Sequence, residues 1–190
     1  MTQALILASA SPRRRELLAG LGVAFEVVPA EADETPPPWM PPREAALHLA
    51  REKGLEVARQ RPRDWVLSAD TIVVIDADIL GKPVDAAEAL SMLRRLSGRT
   101  HAVITAFCLM NLSLGRETCE AVETWVAFRE VAEAELAAYA ASGEPLDKAG
   151  AYAIQGGAAG FVAGIEGSYS NVVGLPLERV SEALKEAGLL

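Results

Sequence analysis

Histidine and cysteine are scarce in this chain, with two of each in 190 residues. A catalytic zinc ion needs about three protein ligands and a structural one about four. His48 and His101 are far apart in sequence, and no HExxH is present. Zinc hydrolysis and a histidine-centred nucleophilic triad are therefore poor fits. Cys108 and Cys119 sit in apolar surroundings, across a hairpin expected to turn near 113–115. They are expected to be reduced, buried thiols. Positive charge is also short: 18 Lys and Arg face 26 Asp and Glu, a net charge of −8. Such a chain does not coat DNA or RNA by general attraction. An anionic ligand must instead meet a local cluster of positive charge or arrive with a metal ion. No apolar run is long enough to span a membrane. The N-terminal stretch lacks a basic leader with an apolar core, so a cytoplasmic location is expected. The length suits one compact domain over 1–190.

What is present alternates between helical and extended patterns. ALILA is a short apolar run expected to be a buried strand. Ser11 then suits a helix N-cap with Pro12 at the first helical position, and the helix is expected to stop at Gly22. FEVV at 25–28 resumes as a strand. AEADETPPPWMPPRE holds five prolines and four acids and is expected to be a loop. A helix over 43–59 follows, then two strands around an Asp-rich turn in WVLSADTIVVIDADILGKP. AAEALSMLRRLSG has helical spacing and a glycine stop. THAVITAFCLMNL and ETCEAVETWVAFREV read as two long antiparallel strands. AEAELAAYAASG is another helix, a glycine-rich segment follows it, and a last helix starts at Pro176. The order predicts an α/β protein with a mixed, twisted sheet flanked by helices.

Three arginines, Arg13 to Arg15, directly follow Ser-x-Ser-Pro at that first helix start. A helix start offers unpaired N–H groups and the positive end of the dipole, and both attract anions. Ser9 and Ser11 add hydroxyls. Arg13 and Arg14 add guanidinium forks that match phosphate oxygens in two-point contact. Arginines there oppose the dipole and cost stability unless an anion is bound, a conflict that points to function. A solvated basic face is the competing reading, and on physics alone the two stand level. Asp70 interrupts an apolar, β-branched run beside Thr71. Its carboxylate is costly to bury unless it binds a metal, accepts hydrogen bonds or serves as a base. A structural aspartate bonding backbone amides is the plainer alternative. Lys53 and Lys82, each taken alone, read as surface lysines.

Together these blocks resemble the Maf family of nucleoside triphosphate pyrophosphatases. They run in order along nearly the whole chain: SASPRRRELL, AREK, SADTIV, LGKPVDAAEALSMLRRLSGRTHAVIT, SGEPLDKAGAYAIQG and IEGSYSNVVGLPL. The resemblance implies hydrolysis of a nucleoside triphosphate between its α and β phosphates, with magnesium or manganese required. It implies an elongated, two-lobed fold with a central cleft, similar to the inosine triphosphatase group, and a homodimer. Carried over residue by residue, Asp70 matches the proton acceptor and also a metal ligand. Glu34 resembles an acid that helps hold the metal. Arg13, Thr71 and Gln155 match positions tied to substrate choice. Ser9, Ser11, Arg14, Lys53, Lys82 and Lys148 match polar positions lining the cleft.

AGAYAIQG further resembles the branch of that family acting on thymidine and uridine triphosphates. The planar amide of Gln155 offers an acceptor and two donors, which can pair with a carbonyl and the N3–H of uracil or thymine. Cytosine inverts part of that pattern, and a site built for one pattern rejects the other. Ala153 and the GGAAG loop depart from related sequences and are expected to narrow the base pocket. A non-catalytic nucleotide-binding regulator of septum formation is the competing class. It needs the anion-binding turn but not Asp70. Nucleotidyl transfer would use the same cations and need an acceptor pocket besides.

Overall fold

A computed structural model of the chain describes residues 4–31 and 35–190. The expected metal ligand Glu34 lies outside the described residues. The chain forms a seven-stranded sheet with path β2-β1-β3-β5-β6-β7 and β4 paired to β3. The strands are β1 (Leu5–Leu7), β2 (Glu26–Val27), β3 (Trp65–Ile75), β4 (Asp78–Leu80), β5 (Thr100–Asn111), β6 (Arg116–Phe128) and β7 (Val162–Glu166). The helices are α1 (Pro12–Ala19), α2 (Pro42–Gln60), α3 (Ala86–Leu96), α4 (Glu133–Ala141), α5 (Tyr169–Val173) and α6 (Leu177–Glu186). β1 runs parallel to both β2 and β3, whereas β3–β4 and β6–β7 are antiparallel. This is the mixed α/β sheet that the element order predicts.

The residues group into two compact units: 1–70, 105–122 and 174–190 in the first, 71–104 and 123–173 in the second. In the first unit, β1 is paired on both edges and buried along its length. Leu5, Leu7, Leu67, Phe107 and Leu109 from the strands meet Leu18 of α1 and Val180 and Leu184 of α6. Apolar residues on α6 at that spacing present one face to the sheet. In the second unit, α3 packs against α4. Beside them His101, Phe128, Tyr139, Tyr152 and Phe161 form a chain of edge-to-face ring contacts, with centroids 4.9 to 6.1 Å apart. Aromatic rings prefer this arrangement because ring edges and faces carry opposite partial charge.

Local chemistry explains most of the boundaries. Ser11 caps α1 through its hydroxyl to Arg14 N (3.4 Å), and Pro12 starts the helix. The helix ends at Gly20 rather than Gly22, and Gly22 instead takes the left-handed turn that follows (φ +73°). Asp85 caps α3 by accepting from Glu88 N at 2.8 Å, while the Glu88 carboxylate accepts from Val84 N. Asp76 and Ala77 both have positive φ in the β3–β4 turn, as a two-residue hairpin requires. β7 and α5 lie within the glycine-rich segment, which the sequence pattern left without elements.

The cysteines correct one expectation. Cys108 and Cys119 are joined in a disulfide, not held as separate thiols. β5 and β6 are neighbouring strands joined by the turn 112–115, and the hairpin brings the two Cα atoms to 4.1 Å. That is the close spacing of directly opposed residues, which leaves the sulfurs in bonding reach.

Candidate active site

The first unit gathers six of the expected site residues. β1 ends at Leu7, and Ala8 N still bonds Leu67 O at 2.8 Å. Ser9 follows immediately, nearly buried, and its hydroxyl accepts from Ser11 N at 3.2 Å. Arg14 reaches back from the first turn of α1 and donates through Nη1 to Ser9 Oγ (3.3 Å). Its Nε donates to the carbonyl of Gly174 at 2.8 Å. The serines and Arg14 thus form one hydrogen-bonded knot at the helix start. Arg13 is half-buried beside them, and its buried Nε has no hydrogen-bond partner among the described residues. A buried guanidinium N–H without an acceptor is costly, and an anion would relieve it. α1 carries no acidic residue in its first turn to satisfy the arginines internally.

Asp70 sits on β3, which is paired in parallel register with β1 through Leu7↔Leu67. Adjacent strands lie about 4.8 Å apart. Ser9, two residues beyond Leu7, and Asp70, three beyond Leu67, therefore lie toward the same, carboxyl-directed end of the pair. In open α/β sheets ligands bind beyond that end. Asp70 is 7% exposed and its Oδ1 accepts from Lys53 Nζ at 2.6 Å. Lys53 is itself 8% exposed, so it is a buried partner rather than the surface lysine its helical context suggests. No hydrogen bond from a described residue reaches the other oxygen, Oδ2. Among the described residues its side chain bonds Lys53 rather than backbone amides.

Packing explains how α2 delivers Lys53 so deep. The adjacent residue is Gly54, where an added Cβ would meet Ser68 Oγ at 2.6 Å and Met110 Cε at 2.7 Å. Ser68 Oγ in turn donates to Ala50 O at 2.6 Å. The helix backbone therefore lies directly on β3, and the lysine at position 53 reaches Asp70.

The second unit holds the remaining four. Thr71 is half-buried and Lys82 exposed. Lys148 Nζ donates to Glu144 O at 3.3 Å and pairs with Asp147. Gln155 is exposed, and its side chain makes no hydrogen bond among the described residues. Behind it, His101 Nε2 and Tyr152 Oη share a hydrogen bond of 2.8 Å. Burial holds the His101 imidazole down at about 4 and pushes the Tyr152 phenol up. Both are therefore neutral near pH 7 and act as structure rather than as acid or base.

A divalent cation fits what Asp70 offers. Oδ2 is a hard oxygen donor that no hydrogen bond engages among the described residues, and magnesium is commonly held by about one or two carboxylates plus substrate phosphates and water. Among the described residues the other cluster of potential ligands is Cys108, Glu117 and Cys119, and its sulfurs are tied to each other. A groove of about 440 Å³ lined by His48, Glu52, Glu56 and Arg59 lies on the outer side of α2. Its two glutamates do not suit a polyphosphate.

A family model described as Maf-like protein matches residues 4–187. The chain is 53% identical to a dTTP/UTP pyrophosphatase of Anaeromyxobacter dehalogenans over 99% of this chain and 96% of that one. Proteins of the same name from Geobacter sulfurreducens (50%, covering 98% and 97%) and Myxococcus xanthus (55%, covering 97% and 93%) are similarly close. A nucleoside-triphosphatase, dITP/XTP pyrophosphatase, of Mycobacterium abscessus aligns over 98% of this chain and 97% of its own. Its identity is 17% and its TM-score 0.46, a likeness too loose to carry structural weight. The chain belongs to the Maf family.

Proposed function

We propose that this protein is a pyrophosphatase that hydrolyses dTTP and UTP between the α and β phosphates, releasing a nucleoside monophosphate and pyrophosphate. The observation that carries the reading is the buried Asp70–Lys53 pair, on β3 just beyond the level at which β1 ends and the Ser9–Ser11–Arg14 knot begins. A triphosphate carries about four negative charges near neutral pH, and they repel an attacking nucleophile. Arg13, Arg14, the start of α1 and the hydroxyls of Ser9 and Ser11 offset that charge and hold the phosphates. Lys82 and Lys148 add two further cations. Asp70, held through Oδ1 by Lys53, presents Oδ2 to a water and accepts its proton as the oxygen attacks the α phosphorus. The P–O bond to the β phosphate breaks, and pyrophosphate leaves with the charge that the cations stabilise. Asp70 and Glu34 would hold a magnesium or manganese ion, which would neutralise charge on the phosphates.

Gln155 reads the base through its amide, with Thr71 and Arg13 contributing to substrate choice. The relatives named for dTTP and UTP, about half identical over their full length, support that preference. A homodimer in the cytoplasm completes the reading. Among the described residues no helix is long and apolar enough to cross a membrane.

The test is a panel of nucleoside triphosphates with magnesium or manganese, scored for monophosphate and pyrophosphate. dTTP and UTP are expected to be the best substrates, and Asp70→Asn to abolish release. Tight binding with no turnover would identify a nucleotide-sensing regulator instead. Preference for 7-methyl-GTP with dTTP barely cleaved would overturn the base assignment.

A further inference from the structure

Gln155 is exposed and makes no hydrogen bond of its own among the described residues, so something else must fix where it points. Two side chains do so from behind. Two residues before it, Ala153 N donates to Tyr139 Oη at 3.2 Å. Two residues after it, Gly157 N donates to both carboxylate oxygens of Glu144, at 3.1 and 3.2 Å. Tyr139 Oη then donates to Glu144 Oε1 at 2.9 Å, which joins the two supports. The turn is closed within itself by Gly156 N to Ala153 O at 3.1 Å. The backbone on both sides of Gln155 is therefore tied to one buttress made of a phenol and a carboxylate.

The fit leaves no room for adjustment. A Cβ at Gly156 would lie 1.9 Å from Glu144 Oε1, and one at Gly157 would lie 3.0 Å from the Tyr139 ring. The two glycines are what let the carboxylate approach the loop backbone. Glu144 also accepts from Lys148 Nζ through its own carbonyl. One residue thus supports both the expected base reader and one of the expected phosphate cations.

We infer that Glu144, through Tyr139, is a positioning residue for nucleobase selection: it holds the 153–157 turn so that the Gln155 amide meets a thymine or uracil edge. This deepens the proposed reading of Gln155 and rests on it. A carboxylate is suited to the task because it accepts two or more N–H and O–H donors at once. Loss of such a support shifts the reader by a fraction of an ångström or more. Misplacement on that scale is worth about ten- to a hundred-fold in rate or affinity.

The experiment compares kcat and KM for dTTP and dCTP in the wild type and in Glu144→Ala, Glu144→Gln and Tyr139→Phe, with melting midpoints and amide exchange over 152–158. In Glu144→Ala, kcat/KM for dTTP is expected to fall about ten-fold or more, mostly through KM, while that for dCTP changes little. Amide protection in the turn falls with it. Glu144→Gln keeps one acceptor oxygen for Tyr139 Oη and Gly157 N and is expected to stay within about three-fold of wild type. Tyr139→Phe, which keeps the ring and so its packing, falls between the two. Equal losses on dTTP and dCTP, or an unchanged ratio in a folded Glu144→Ala variant, overturn the role of Glu144 alone. A wild type that cleaves dTTP and dCTP alike overturns the base reading at Gln155, and this inference with it.

Discussion

Replacing Asp70 with asparagine removes one negative charge and almost no volume. The structure gives this substitution two separable consequences. The first is chemical. Asparagine cannot accept the proton of an attacking water, and general-base assistance is worth about 10²–10⁴-fold, so kcat is expected to fall by that factor. The second is energetic. Lys53 and Asp70 form an ion pair at 2.6 Å with each side chain about 10% exposed. Removing one partner of a buried pair costs about 3–5 kcal/mol, because the remaining charge is left without compensation. Asparagine still offers Lys53 an oxygen, which places this variant at or below the lower end. For a chain of this size about 3 kcal/mol corresponds to a fall in melting midpoint of roughly 6–12 °C. Lys53→Met should destabilise comparably, since it strands the carboxylate. The double variant Lys53→Met/Asp70→Leu replaces the pair with apolar groups, a change that is often neutral or stabilising. It is expected to regain most of the lost stability and none of the activity. Thermal melts and pyrophosphate release, measured on all four proteins, test the scheme. Recovery of turnover in the double variant would refute the proton-acceptor role. Single variants as stable as wild type would refute the burial argument.

Three further outcomes follow from the described contacts. Folding keeps His101 neutral, with its titration moved from 6.5 to about 4 by burial, so its contribution is whole above pH 6.5 and is lost as pH falls towards 4. The loss amounts to roughly 3 kcal/mol, and melting midpoints from pH 7 to 4 should fall less steeply in His101→Phe than in wild type. The Cys108–Cys119 bond closes a separation of 11 residues. Its reduction by a phosphine should lower stability by about 2–3 kcal/mol, and denatured protein should show no free thiol until reductant is added. Gly54→Ala drives a methyl against Ser68 Oγ and Met110. It is expected to cost about 1–3 kcal/mol in melts and to impair turnover by displacing Lys53.

The local signals in the sequence were strong where they concerned a single chain segment. Ser11 and Pro12 mark the start of α1, and the leucine spacing and glycine stop mark α3, because caps and periodicity act within a few residues. Asp70 stood out because a carboxylate in a β-branched run has no cheap explanation. The partner that explains it did not stand out, because Lys53 lies 17 residues earlier on a helix whose buried side depends on how α2 settles on β3. The cysteines differ: their facing positions across the hairpin are legible in the sequence, and the expectation of thiols rests on the cytoplasmic reading rather than on geometry. β7 escaped notice because it is mostly exposed and glycine-containing, with neither an apolar run nor alternation to betray it. Glu144 carries no local signal of its own in the sequence. The available hint was the paired glycines at 156 and 157, which leave space for something to approach.

Arg14 is made early in translation, while the carbonyl that anchors it, at Gly174, comes 160 residues later. Leu175, Val180 and Leu184, which close the core around β1, come later still. A nascent chain halted before that point leaves Leu5 and Leu7 uncovered and the arginine unmoored. The Ser9–Ser11–Arg14 turn is therefore complete only once residues 174–184 have been made. Until then the emerging polypeptide shows solvent the apolar strand that the C-terminal helix will cover.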